Sequence, residues 1–458
     1  MKKVHFIGIG GIGMSGLASI LLERGVTVSG SDLRPNNLTD DLARRGAKIY
    51  KGHDAANIDS DVDIIVETTC IKDDNPEILR GKDLGKDIIS RSALLKMMVE
   101  SSPVSIGVTG THGKTTTSAL ISFIMDHCGK NPTVVVGGEI DRFKGNAREG
   151  KGGILIAEVD ESDGYFRNIS TTYAVVTNIE REHMEHFGTF ENLVGAYKEF
   201  IGRVSPEGLF VYNGEDPVLC KIAGSVNAGK IDFGIDGDFT ATCRDHKCAR
   251  SIEFDFIVSG KKYGRVKSPL VGRHNLMNIL AAMTVCREMG LDFERCVKAV
   301  NDFRGVKRRF DAVGKVGSIQ VIEDYAHHPT ELKAVIKAAR DYNAGRVVAV
   351  FQPHRYSRTK DLAEEFADCF YDADVLVLTE IYSADEDPSA GADVRDIFEL
   401  VDKDRFQEID FVKKDEVPGL VSGLVKENDL VLVLGAGDIR DIAHLLLDEI
   451  RKRQPDVE

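Results

Sequence analysis

Short apolar runs alternating with helically spaced stretches fill the chain from Val4 to about Glu100. VHFIGI, VTVSGSD, VDIIVET and DIISR read as strands, whereas MSGLASILLERG and SALLKMMVE repeat apolar residues every three or four positions. Strands separated by amphipathic helices predict a parallel sheet joined by right-handed crossovers. The polar SSP at 101–103 reads as a linker and first hinge, and VSIGVTG opens a second unit. Buried-type strands follow at 133–138, 153–159 and 173–179. Over 231–270 the runs shorten, alternate and are cut by Gly and Asp, which predicts an antiparallel patch. After the helical NLMNILAAMTVCREMG comes the basic FRGVKRRF at 303–310, a second hinge. IQVIEDYA, RVVAVFQP, VLVLTEI and LVLVLGAG then alternate with helices as a third α/β unit. The expected fold is α/β in three domains, residues 1–100, 101–308 and 309–458.

Length agrees, since 458 residues at roughly 150 per domain suggest three cores. No apolar run approaches the ~20 residues needed to cross a bilayer. The opening MKKVHFIGIGGIGMS lacks a small-residue cleavage site, so it reads as a first strand, and a cytoplasmic location with no membrane partner is expected. A net charge of −14 argues against general nucleic-acid binding, which needs a basic surface. The eight cysteines have no paired spacing, and Cys243, His246 and Cys248 in CRDHKC read as isolated groups, not a zinc site.

Three motifs carry chemistry. Gly8, Gly10 and Gly13 form G-x-G-x-x-G between a strand and a helix, with Asp32 closing the next strand. That context suits a pyrophosphate on a helix N-terminus, from NAD(P) or another phosphate ligand. GVTGTHGKTTT at 107–117 sets Gly110 and Gly113-Lys114-Thr115 between a strand and a helix, a shortened P-loop with Val108 where the longer pattern has glycine. There Lys114 reaches β/γ-phosphate oxygens and the Thr115 hydroxyl can ligate Mg²⁺. Downstream, Glu158 and Asp160 alternate at a strand end and read as one face, while His183 and His186 follow the next strand. In the last third, Lys307, Arg308 and Arg309, then Asp324, Tyr325, His327 and His328 before Pro329, then Arg355 and Arg358 collect at strand ends. Paired guanidiniums there suit a carboxylate or phosphate.

HFIGIGGIGMSG, DDNPE, TGTHGKTTT, EVDESD, TNIEREHMEHFG, RHNLMNILAA, RRFD, DYAHHPTE, FQPHRYSRT and LGAGDI, in that order, resemble the Mur ligase family over essentially the whole chain. The resemblance implies an N-terminal Rossmann-like domain for a UDP-sugar, a central P-loop ATPase-like domain and a C-terminal Rossmann-like domain for the incoming amino acid. It implies an ATP-dependent carboxylate–amine ligase working through an acyl phosphate, with two Mg²⁺. HHPTE and HRYSR favour its alanine-adding members, hence UDP-N-acetylmuramate, ATP and L-alanine as partners. The first loop would then serve the UDP pyrophosphate, through Gly8, Gly10, Gly11, Ile12, Gly13, Met14, Ser15 and Asp32. ATP would meet Gly110, Thr111, His112, Gly113, Lys114, Thr115 and Thr116, with Asn275 and Asn278 on the adenine side, Arg309 at the hinge and Asp324 near the ribose. Thr115 with Glu158, and His183, would hold the metal, with Lys114, Glu158 and His183 catalytic. Tyr325, His327, His354, Arg355 and Arg358 match the amino-acid end. Two departures stand out: Glu323-Asp324-Tyr325 where DDY is usual, and Thr69-Cys70 where small residues precede DNPE. Lys198 is the candidate for the carbamylated lysine of several relatives.

Overall fold

Strands with apolar side chains on both faces need cover on both sides, and the N-terminal segment supplies it with helices. In the computed structural model, which describes residues 1–68, 70–384, 386–387 and 391–453, β1 (Lys3–Ile7), β2 (Thr27–Asp32), β3 (Lys48–Lys51), β4 (Ile64–Glu67) and β5 (Asp87–Ser90) form a parallel sheet in the order β3-β2-β1-β4-β5. The order reverses at β1, so a crevice opens beyond its carboxyl end, where the first glycine loop lies. Thr69 falls outside the described residues.

The central sheet comprises β6 (Val104–Thr109), β7 (Thr133–Ile140), β8 (Gly145–Arg148), β9 (Ile154–Glu158), β10 (Tyr173–Val176), β11 (Leu209–Asn213), β12 (Gly229–Ile235), β13 (Ala241–Lys247), β14 (Ile252–Val258) and β15 (Lys261–Ser268). They lie in the order β15-β14-β13-β12-β11-β10-β6-β9-β7-β8. β6 runs parallel to both β9 and β10, which brings their carboxyl ends beside the P-loop. The antiparallel patch expected over 231–270 is only partly realised, because β12 and β13 pair in parallel, Phe233 opposite Ala241. β14 and β15 are joined by Ser259 and Gly260, both at positive φ, the two-residue turn of a hairpin. Cys243 and His246 sit three apart on β13 and so point to opposite faces.

β16 (Asp311–Val316), β17 (Ile319–Asp324), β18 (Val347–Phe351), β19 (Val375–Leu378), β20 (Glu408–Phe411) and β21 (Leu430–Leu434) make the third sheet, ordered β16-β17-β21-β18-β19-β20. Only β16 is antiparallel to its neighbour. β17 and β18 flank β21, so the segments after Asp324, Phe351 and Leu434 leave the sheet at the same end.

By packing, the chain divides into two compact units: Met1–Arg244 with Asp255–Arg265 and Met277–Phe303, and Asp245–Phe254 with Val266–Leu276 and Arg304–Glu458. The first two α/β segments therefore share one unit, with residues 101–103 between them. The helix Ile12–Glu23 lies on β7 and β8. Asn146 Nδ2 donates to the carbonyls of Ile12 (2.9 Å) and Val136 (3.3 Å). Gly16 permits that approach, for a Cβ there would stand 2.9 Å from the Asn146 amide.

Beneath the central sheet Phe166, Tyr197 and Phe200 are buried, with the Phe166 ring 5.0 Å from Tyr197 edge-to-face and 5.7 Å from Phe200. Phe166→Ala is expected to destabilise this unit by about 3–5 kcal/mol, read by urea unfolding; a loss under about 1 kcal/mol would show that the cluster does not anchor it.

Candidate active site

A glycine at positive φ lets backbone pass where a side chain would clash, and the P-loop uses two. At Gly110 (φ 130°) a Cβ would meet Thr177 Oγ1 at 2.2 Å; at Gly113 (φ 81°) it would meet Asn278 Oδ1 at 2.6 Å. The loop joins β6 to the helix Lys114–His127, whose first N–H groups have no partners within the helix. The segment after β10 braces it. Asn178 Oδ1 accepts from His112 N (2.8 Å), the Asn178 carbonyl accepts from Thr111 N (3.0 Å), and Asn178 Nδ2 donates to the His112 carbonyl (3.0 Å). Thr116 is buried in the helix's first turn. Asn278 Oδ1 accepts from Thr117 Oγ1 at 3.2 Å, which sets Asn278 against the helix that follows the loop.

Lys114 Nζ donates to the carbonyls of Gly110 (2.6 Å) and Thr111 (3.1 Å) and to Glu161 Oε1 (2.8 Å). Burial alone would lower the lysine's pKa, but Glu161, Asp160 and Glu158 hold it above its ordinary value. Glu161 is 1% exposed and its Oε2 has no hydrogen-bond partner. Burial pushes that carboxyl up, against the pull of Lys114 and His183. Thr115 Oγ1 donates to Glu158 Oε1 (3.0 Å), while Gly137 N donates to Glu158 Oε2 (2.6 Å). A hydroxyl, a carboxylate and an unpartnered buried carboxylate oxygen make a donor set suited to a hard divalent cation.

His183 caps the short helix Met184–Phe187 in the left-handed region (φ 58°), a conformation that costs free energy and concentrates at functional sites. Its Nε2 lies 3.9 Å from Glu161 Oε1 and its Nδ1 3.5 Å from Glu185. The structure thus brings Lys114 and His183 to one residue that the sequence pattern had passed over, Glu161, with the Thr115–Glu158 pair beside Lys114. The period-two reading of EVDESD selected Glu158 and Asp160, but the strand ends at Glu158 and the chain turns. Lys198 lies on the exposed side of the helix Phe190–Gly202, and Tyr197 is the residue turned inward there.

At the first loop, Gly8 and Ile9 donate backbone N–H to the Ser31 carbonyl, and Gly10 N donates to Asp32 Oδ2 (2.8 Å). Gly11 precedes the helix that Ile12 begins, and Ile12 is exposed. Met14 instead sits in the apolar core, and Ser15 is buried with its hydroxyl on the Ile12 carbonyl. A cavity of about 180 Å³ opens beside the loop, lined by Ile12, Gly13, Arg91, Gly137, Glu158 and Asp160 among others. Glu158 and Asp160 do share a face, that of this cavity.

In the second unit, Tyr325 packs against two cations, the Arg308 and Arg309 guanidiniums lying 4.8 and 5.1 Å from its ring. Arg308 also donates to the carbonyls of Gly435 (3.0 Å) and Gly437 (3.2 Å), which gives the LGAG turn a role in holding the arginine. His327 Nδ1 lies 3.0 Å from the Tyr325 carbonyl, and its ring is 5.7 Å from that of His354. Arg358 Nη1 donates to the His354 carbonyl (3.2 Å). Tyr382, unmarked in the sequence, stacks on His354 at 5.4 Å and accepts the Arg355 N–H (2.8 Å). Arg355 itself is at φ 72°, a strained position for a non-glycine residue. Asp324 is buried, accepts from the backbone N–H of Phe310 and Ala326 (both 2.7 Å), and has its pKa raised by burial to about 6. Asn275 Nδ2 donates to the Val271 carbonyl (2.9 Å).

Known proteins match this layout from end to end. Family models for the Mur ligase family catalytic domain, the Mur ligase middle domain and the Mur ligase glutamate ligase domain match residues 3–102, 108–286 and 308–437. The chain is 38% identical to the UDP-N-acetylmuramate–L-alanine ligase of Desulforamulus reducens over 457 residues, covering 99% of this chain and 98% of that one. It is 39% identical to the ligase of the same name from Pelobacter propionicus, covering 99% of each. Among solved structures, the UDP-N-acetylmuramate-alanine ligase of Thermotoga maritima superposes with a TM-score of 0.84 at 30% identity, covering 99% of this chain and all of that one. The murein peptide ligase of Psychrobacter arcticus shares the fold, with a TM-score of 0.75 at 21% identity, covering 98% of this chain and 99% of that one. With all three domain models matched in order and full-length relatives at this identity, the chain belongs to the Mur ligase family.

Proposed function

We propose that this protein joins L-alanine to the carboxylate of UDP-N-acetylmuramate, spending ATP to ADP and phosphate by way of an acyl phosphate, as a step of peptidoglycan precursor synthesis. The observation that carries this reading is the buried Lys114, held by Glu161 beside the Thr115–Glu158 pair, in a chain alike over its whole length to L-alanine ligases. Residues 1–100 take the UDP-sugar, 101–308 ATP and 309–458 the amino acid.

A carboxylate resists attack by an amine because its leaving group would be oxide or hydroxide. Phosphorylation supplies a better one, but it first requires two anions to meet. Lys114 carries a full positive charge to the β/γ-phosphates, and the N–H groups of residues 113–116 donate to their oxygens, so this part of the catalysis is positioning and electrostatics. Two Mg²⁺ ions, one at Thr115 and Glu158 and one at His183, would screen the remaining repulsion between the phosphate and the sugar's carboxylate. Asn275, Asn278, Arg309 and Asp324 serve the nucleoside end of ATP.

Arg355 and Arg358, with His354 and Tyr325, receive the L-alanine carboxylate and leave its amine to attack. The amine must also lose a proton. His327 suits that task, because a carbonyl can only accept, so Nδ1 donates to Tyr325 and that bond orients the ring. The amine's attack on the acyl phosphate gives a tetrahedral intermediate that expels phosphate.

Lys114→Ala is expected to lower kcat by at least about a hundredfold, measured as ADP release, with the far-UV circular dichroism unchanged; near-normal ligation by the folded variant would remove the P-loop from the mechanism. Arg355→Ala should raise the KM for L-alanine by roughly tenfold or more, the size expected for one charge-assisted hydrogen bond, and leave that for ATP little changed. An equal rise in both constants would show that Arg355 does not grip the amino acid.

A further inference from the structure

One cation on the wall of the cavity beside the glycine loop has no part in this chemistry so far. Arg91 opens the helix Arg91–Glu100 directly after β5, and its guanidinium reaches two places. Nη1 lies so near the first loop that a Cβ on Gly13 would stand 2.6 Å from it. Nη2 donates to Asp160 Oδ2 at 2.9 Å. Gly13 lies in the first turn of the helix Ile12–Glu23, where free backbone N–H groups and the helix dipole favour an anion. Arg91, Gly13 and Asp160 all line the same cavity of about 180 Å³. The guanidinium nearest the loop is thus occupied by a carboxylate of its own chain. Both side chains keep about a third of their surface exposed, 34% and 37%, so the pair is open to competition.

We propose that Arg91 clamps the pyrophosphate of the UDP-sugar, and that Asp160 holds the clamp in place until the substrate takes it over. This rests on the reading that the first loop binds a UDP-sugar. A guanidinium presents a planar fork that matches phosphate oxygens in pairs, and a pyrophosphate at a helix N-terminus offers more charge than one carboxylate. The neighbouring Ser92 hydroxyl donates to Asp163, anchoring the first turn of the Arg91 helix to the loop that carries Asp160. Arg91 can therefore change partner without the helix moving.

The two members of the pair should then act with opposite signs, which a merely structural ion pair would not do. Calorimetric titration of the full-length protein with UDP-N-acetylmuramate, and separately with UDP, reads this directly, the Tm of each variant being recorded alongside. Arg91→Gln should weaken binding of both ligands by roughly tenfold or more, and Arg91→Lys should recover part of the loss. Asp160→Asn, which removes the competitor, should tighten both severalfold. Unchanged binding by Arg91→Gln, or weakening by Asp160→Asn, would overturn the proposal. Weakening by Arg91→Gln of the UDP-sugar but not of UDP would also overturn it, placing the clamp on the sugar's carboxylate instead. No binding of either ligand by the unsubstituted protein would overturn the UDP-sugar reading itself, and this proposal with it.

Discussion

The Lys114–Glu161 contact organises the P-loop. A buried ammonium is unfavourable unless a partner offsets its desolvation, and Glu161 does so from 2.8 Å while two loop carbonyls take the remaining N–H groups. The contact is possible because β6 lies between β9 and β10 and runs parallel to both. Neighbouring carboxyl ends bring Glu158 and Glu161 from one side and the 177–183 segment from the other. Parallel sheets gather active groups at one end, and here that end collects a cation, two carboxylates and a histidine.

The protein as a whole carries a net charge of −14, so anionic substrates must be met by charge gathered locally. The chain gathers it at strand ends: Arg91 after β5, Lys114 after β6, and Arg355 and Arg358 after β18. Backbone strain appears at the same places. His183, Arg308 and Arg355 all have positive φ, a geometry that costs free energy and persists only where neighbours fix it. For Arg308 those neighbours are the Gly435 and Gly437 carbonyls, and for Arg355 the Tyr382 carbonyl.

Much of this was legible in the sequence because each motif is local. G-x-G-x-x-G and TGTHGKTTT state a strand, a tight turn and a helix within a dozen residues, and both occur as expected. Arg355, Arg358, His354, His327 and Tyr325 could be placed together because each follows a strand of one sheet. What escaped were contacts set by where a strand stops or by what packs across the chain. Glu161 was missed since alternation was carried past the end of β9, and Arg91 because nothing in SRSALL shows that its side chain spans to Asp160. The packing of the helix Ile12–Glu23 on β7 and β8, with Asn146 on the Ile12 carbonyl, is long-range in the same way. Met14 shows that a residue inside a binding motif can also pack its side chain in the core.

The most direct test of the central claim is phosphate release by the full chain with UDP-N-acetylmuramate, ATP and Mg²⁺, screened across single amino acids and the tripeptide L-alanyl-γ-D-glutamyl-meso-diaminopimelate. Release with L-alanine, dependent on the UDP-sugar, is expected. Release with the tripeptide and not with L-alanine would contradict it and make the protein a peptide-adding ligase of the same family.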